Sequence, residues 1–258
     1  MSALTAPFLE YLKVSPGLTG SWIMHQQWHD LLFAHWSVPA EVLRPLIPAD
    51  LTLDTYNGEA WLGLIAFHLS GIRLRGLPAV PFTCSFAELN VRTYVIRDGK
   101  PGIYFLSLDA SNPLAAAIAR AWYRLGYTKA RMSIERENNQ INFISERTQR
   151  GAYPAQFAAS YQPVSECYYA IPGTLEYWLT ERYRFYTLDN RQRLYSCDVQ
   201  HAPWPLHKAE AQISFNNMAL THKIDLSSFP PLLHYVPTIN AVIWSLKGIN
   251  NSESMRFL

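Results

Sequence analysis

The stretch Glu88-Leu89-Asn90-Val91-Arg92-Thr93-Tyr94-Val95-Ile96, then Asp98-Gly99, then Ile103-Tyr104-Phe105-Leu106-Ser107-Leu108, reads as two strands joined by a tight turn. An Asp-Gly pair tolerates the positive φ angles of a two-residue hairpin, so the strands run antiparallel. Side chains alternate at period two, which puts Glu88, Asn90, Arg92 and Tyr94 on one face and Leu89, Val91, Thr93 and Val95 on the other. The partner strand, Ile103–Leu108, is apolar on both faces, so the polar stripe beside it is shielded as well. A shielded polar stripe must be satisfied internally, and a Glu/Arg group inside a cavity is the form a functional site takes.

Three further turn signals repeat the pattern. Asn57-Gly58 separates Leu51–Tyr56 from Ala60–Leu69, Asn138-Asn139 divides Arg131–Glu135 from Ile141–Ser145, and Asp189-Asn190 divides Tyr183–Leu188 from Arg193–Val199. Helices are fewer: Pro39–Leu46, the alanine-rich Pro113–Leu125, and Thr174–Glu181. Hairpins with inserted helices indicate an α+β domain around a curved antiparallel sheet or barrel, not a doubly wound parallel sheet. No repeat or linker divides the chain, so a single domain is expected over 1–258, with an extension over about 1–24 and a frayed tail from Asn250.

The alanine-rich helix, opened by Asn112-Pro113 and closed by Gly126, leads into the strand-like Tyr127-Thr128-Lys129-Ala130-Arg131-Met132-Ser133-Ile134. Lys129, Arg131 and Ser133 then share one face, with Ala130, Met132 and Ile134 on the other. If the first face lines a dry pocket, desolvation and the Arg131 charge both disfavour the ammonium form of Lys129. A neutral lysine is a nucleophile toward carbonyls.

Composition narrows the function classes. Of the 258 residues 49% are hydrophobic and 14% aromatic, whereas only 16% are charged, so an oligomer interface or a ligand cavity is expected to take up apolar surface. A net charge of +2 without a basic run gives no footprint for nucleic acid. No uninterrupted apolar stretch approaches the ~20 residues of a membrane helix and no leader pattern is present, so a cytoplasmic protein is expected. Cys84, Cys167 and Cys197 are widely spaced and read as core residues rather than as a disulfide or thiolate-metal set.

His25-Gln26-Gln27-Trp28-His29 has the histidine spacing of a zinc-protease helix, but Gln26 stands where the general-base glutamate must be. The segment runs into Leu31–Trp36, which reads as strand, so these histidines are expected to be ordinary hydrogen-bonded groups; so are His201 and His207. Neither a Gly-rich phosphate loop nor a G-x-S-x-G elbow occurs. No metal or cofactor is expected.

The block His35-Trp36-Ser37-Val38-Pro39, then Leu43-Arg44-Pro45-Leu46-Ile47-Pro48, the Glu88–Tyr94 stripe, and Gly173-Thr174-Leu175-Glu176 through Glu181-Arg182-Tyr183 together resemble the YqjF-like proteins, relatives of acetoacetate decarboxylase. The resemblance runs from about Trp28 to Gly248. It implies a cone-shaped antiparallel barrel with an active site in its lumen. The decarboxylase is matched more thinly, by Leu43–Pro48, by Glu88 at a lumen glutamate, and by Lys129 at the Schiff-base lysine. Thr128 and Ala130 depart from its proline and second lysine, and Trp28 falls nearest the position of its substrate-binding arginine.

Three readings follow. In the first, a Schiff-base lyase acts on a small keto acid, with Lys129 and Glu88 catalytic and Arg131 or Arg92 holding the carboxylate. In the second, the barrel binds an apolar or aromatic ligand against Trp61, Phe67, Tyr94 and Tyr127, and Lys129 only pairs with Glu88. The third is an assembly protein whose low surface charge marks a homo-oligomer interface.

Overall fold

A computed structural model describes residues 21–79, 85–227 and 229–249. The structure is mostly sheet. Thirteen strands are described: β1 (Met24–Val38), β2 (Thr52–Leu53), β3 (Ala60–Leu74), β4 (Phe86–Arg97), β5 (Lys100–Ala110), β6 (Tyr127–Glu137), β7 (Gln140–Arg147), β8 (Gln156–Pro163), β9 (Arg184–Leu188), β10 (Leu194–His201), β11 (His207–Asn216), β12 (Leu232–Ile243) and β13 (Lys247–Gly248). The helices are α1 (Ala40–Leu43), continued by a 3-10 turn over Arg44–Leu46, then α2 (Pro113–Tyr123) and α3 (Leu175–Thr180). The expected extension and tail fall largely outside the described residues, as does Cys84.

The deciding hairpin forms as its sequence requires: β4 pairs antiparallel with β5, Tyr94 opposite Ile103, around Asp98 and Gly99 at φ 51° and 70°. Asn138, at φ 57°, turns β6 back onto β7, and β9 pairs antiparallel with β10. Asn57 and Gly58 also adopt positive φ, but the segment before them contributes only β2, which pairs with β4 rather than β3. The sheet is not wholly antiparallel either. β5 runs parallel to β6 and to β9. The first parallel pair follows from α2, whose length carries the chain back across the sheet as a crossover. Asn112 caps α2 by accepting from the N–H groups of Leu114 and Ala115, both at 3.0 Å, and Arg124, left-handed at φ 54°, ends it two residues before Gly126.

The pairings order these strands into two layers. β12, β1, β3, β4, β5, β9 and β10 are joined edge to edge, and the additional β10–β12 pairing completes a circuit. β6, β7, β8 and β11 form a second layer packed over the outer side of β1, β3 and β4. Between the layers lies the largest core, where Leu32, Leu64, Leu89 and Val91 meet Phe143 and Phe157, all buried. Met132 and Ile134 of β6 pack against this core, and Ala130 on the same face is buried. Strands β1, β3 and β4 are therefore covered twice, by the second layer outside and by an enclosed cavity inside. That double cover explains apolar runs without alternation and a chain with few charges.

Candidate ligand cavity

The inner side of the circuit is a cavity holding ≈ 1210 Å³ of space, its mouth included. Period-two alternation sets its walls. Leu31 and Phe33 of β1, Ile65 and Phe67 of β3, and Ile103 and Phe105 of β5 face inward, while Ala115, Ile118, Ala119 and Tyr123 of α2 cover one side. Trp28 and Trp204 stack at 5.9 Å on another wall.

Into this apolar space projects the stripe Glu88, Asn90 and Arg92 of β4, each less than 9% exposed. The Tyr127 hydroxyl donates to Glu88 Oε2 at 2.8 Å and Asn90 Nδ2 to Oε1 at 3.3 Å. Burial pushes the Glu88 carboxyl up to about 7, and these two donors only partly offset it. The group is thus poised between acid and base near neutral pH. Burial, with Glu88 beside it, pushes the Tyr127 hydroxyl well above its usual value.

Arg92 lies about 13 Å along β4 from Glu88, four residues at roughly 3.3 Å each. Its guanidinium sits 5.6 Å from the Phe33 ring and 5.9 Å from the Tyr94 ring, and its Nε and Nη2 are buried with no hydrogen-bond partner. The other two cavity guanidiniums have carboxylates: Arg182 Nη1 donates to Asp54 Oδ2 at 2.7 Å, and Arg184 Nε to Asp198 Oδ1 at 2.7 Å. Arg182 is further fixed by donating from Nε to the Trp178 carbonyl at 2.6 Å and by lying 4.4 Å from the Trp178 ring. Its Nη2 is also left without a partner. No carboxylate pairs with Arg92 among the described residues.

Lys129 does not enter this cavity. It is exposed, as is Arg131, which pairs with Glu146 across β6 and β7. The alternation on β6 is as expected, but the face that carries Ala130 and Met132 is the one turned inward toward β1, β3 and β4, so the Lys129 face meets solvent. Glu88 is held by Tyr127 and Asn90, and the expected Lys129–Glu88 pair is absent. Tyr127 and Phe67 line the cavity, whereas Tyr94 and Trp61 are buried beside it in a cluster with Ile103 and Leu179. Of the two described cysteines, Cys167 is exposed and Cys197 takes the expected core position.

The two histidines of this spacing on β1 make ordinary protein contacts. His25 contacts the Gly71 carbonyl and Asn240, and His29 contacts Ser70 and Thr238. Among the described residues no group of three His, Cys, Asp or Glu is placed to hold a metal ion, and no helix is long and apolar enough to cross a membrane. His201, read from the sequence as a plain loop histidine, lines the cavity; its Nδ1 lies 2.7 Å from the Ala202 carbonyl, and burial lowers its pKa to about 4. Arg182 was not singled out for the site because its partner Asp54 is 128 positions away, beyond any local pattern.

Comparison with known proteins fits this geometry. The DUF2071 family, described as "Uncharacterized conserved protein (COG2071)", matches residues 25–240. The chain belongs to this family. It is 46% identical over 228 residues to the uncharacterized protein YqjF of Bacillus subtilis (strain 168), covering 88% of this chain and 93% of that one. The fold is similar to an acetoacetate decarboxylase-like enzyme from Sphingomonas wittichii RW1, with TM-score 0.61 at 13% identity over 90% of this chain and 94% of the other. It is also similar to the enduracididine biosynthesis enzyme MppR complexed with pyruvate, with TM-score 0.61 at 10% identity over 93% and 95% of the two chains. This DUF2071 chain therefore has an acetoacetate decarboxylase-like fold.

Proposed function

We propose that this DUF2071 protein binds a small organic acid with an apolar or aromatic body, holding its carboxylate on Arg92 without forming a covalent imine. The observation that carries this reading is the buried Arg92 guanidinium, which has spare donors and no protein carboxylate. A buried ion without a counter-charge costs several kcal/mol, and a ligand carboxylate offsets that cost through paired, charge-assisted hydrogen bonds. The aromatic walls suit the ligand body, and the spacing from Arg92 to Glu88 suits a molecule the size of phenylpyruvate. MppR, which shares the fold, is seen with pyruvate bound. Glu88, at the far end of the stripe, faces the ring end of the ligand as a buried group that can gain or lose a proton. Lys129, on the outer surface, takes no part.

Calorimetric titration with phenylpyruvate tests the reading, with borohydride reduction of the mixture and mapping of adducts by mass. Saturable binding with no adduct on Lys129 is expected. An adduct at Lys129 that disappears in Lys129→Ala would restore the Schiff-base lyase.

We further propose that the chain self-associates through the outer face of α2, where Leu114 and Trp122 are 56% and 48% exposed. Light scattering is expected to report an oligomer that Trp122→Glu dissociates. A wild-type monomer at every concentration contradicts this.

A further inference from the structure

Behind Arg92 the inner face of the sheet continues into a second group of polar side chains that the cavity does not reach. Three strands bring them together in register. His35 of β1 lies opposite Gly63 of β3, which lies opposite Arg92 of β4, so a glycine separates two long polar side chains in one row. A Cβ at Gly63 would lie 3.0 Å from His35 Cδ2 and 3.3 Å from the Tyr94 hydroxyl, which shows how closely these groups crowd the gap. His234 of β12 closes the other side, its ring centroid 6.5 Å from that of His35, and the Tyr94 ring is 6.2 Å away.

These groups are deeply buried. His35 is 0% exposed, Tyr94 0% and His234 2%. Both ring nitrogens of His35, Nδ1 of His234 and Nε and Nη2 of Arg92 lack a hydrogen-bond partner. Buried polar atoms are almost always paired with protein or with ordered water, and an internal water makes about three such bonds. A bound cation does not fit here. The Arg92 charge faces the same space, and among the described residues no carboxylate pairs with it.

We propose that the space between His35, Tyr94, His234 and the inner edge of Arg92 is a hydrated chamber, and that its bound water makes His35 a positioning residue for the Arg92 guanidinium. A neutral imidazole offers one donor and one acceptor, so a water held by His35 can accept from Arg92 Nε while donating to the ring. The guanidinium is then fixed from behind with its outer edge turned toward the cavity.

The chamber stands independently of the ligand reading, and only the binding arm of the test rests on that reading. A crystal structure of the full chain at a resolution that shows ordered water is expected to have density within hydrogen-bonding distance of both His35 and Arg92. A dry chamber, with the histidine nitrogens paired directly to protein, overturns the proposal whatever the protein binds. In the second arm, His35→Phe, which keeps the stacking on Phe33 and removes both nitrogens, is expected to weaken phenylpyruvate binding about tenfold, the loss of roughly one buried hydrogen bond. His35→Gln, which can still hold water, is expected to retain most of the affinity. Equal weakening by both variants would assign His35 a packing role and contradict the positioning claim. If the wild type does not bind phenylpyruvate, the ligand reading fails and the water density alone decides the chamber.

Discussion

Replacing Arg92 by glutamine is expected to weaken phenylpyruvate binding about 100-fold, with little loss of fold stability. Hydrogen bonds to charged groups contribute roughly 1.5–3 kcal/mol each, and a factor of 100 corresponds to about 2.8 kcal/mol. The fold tolerates the change because Arg92 makes no ion pair within the described structure, so no carboxylate is left stranded. Removing Arg182 is expected to behave differently. Its Nη1 is the buried partner of Asp54, so Arg182→Gln strands that carboxylate and destabilises the chain itself. Calorimetric titration together with thermal melts separates the two. An Arg92→Gln variant that binds phenylpyruvate as tightly as wild type would remove the basis of the carboxylate reading.

The second large effect concerns Glu88 and pH. Its carboxyl titrates at about 7 in the folded chain, against a reference of 4.5 for the open chain. Because the folded pKa is raised, the native state binds more protons than the unfolded state between these values, so stability falls as pH rises through this window. At roughly 1.4 kcal/mol per pKa unit, this costs the wild type about 3 kcal/mol by pH 8. Glu88→Gln removes the titration and keeps a side chain that can bond Tyr127 and Asn90. It is expected to be close to wild type at pH 4 and to melt several degrees higher at pH 8. A variant with no pH-dependent advantage would show that Glu88 is solvated or counter-charged in solution.

The sequence carried the strands and turns more clearly than it carried their insides. Asp98-Gly99 and the alternation from Glu88 to Val95 are local, and both reappear in the structure with the expected pairing. The same alternation on β6 correctly grouped Lys129 with Arg131, yet period two distinguishes two faces without saying which is covered. On β4 the polar face turns into the cavity because the second layer occupies the apolar side. On β6, which belongs to that second layer, the polar face turns out to solvent. The difference lies in how β7, β8 and β11 pack over β1, β3 and β4, which no single segment encodes. The family resemblance, resting on short motifs, placed the chain correctly but carried a lysine into a position that this packing leaves outside. Arg182 and Asp54 were hidden for a related reason, since long-range pairing has no local period.

The most direct test of the account is a crystal structure of the wild-type protein soaked with phenylpyruvate. The account predicts intact ligand inside the cavity, its carboxylate within hydrogen-bonding distance of Arg92 Nη2, its ring against Phe33 and Phe67, and no continuous density to any lysine. An empty cavity at saturating ligand, or ligand joined covalently to Lys129, would contradict it.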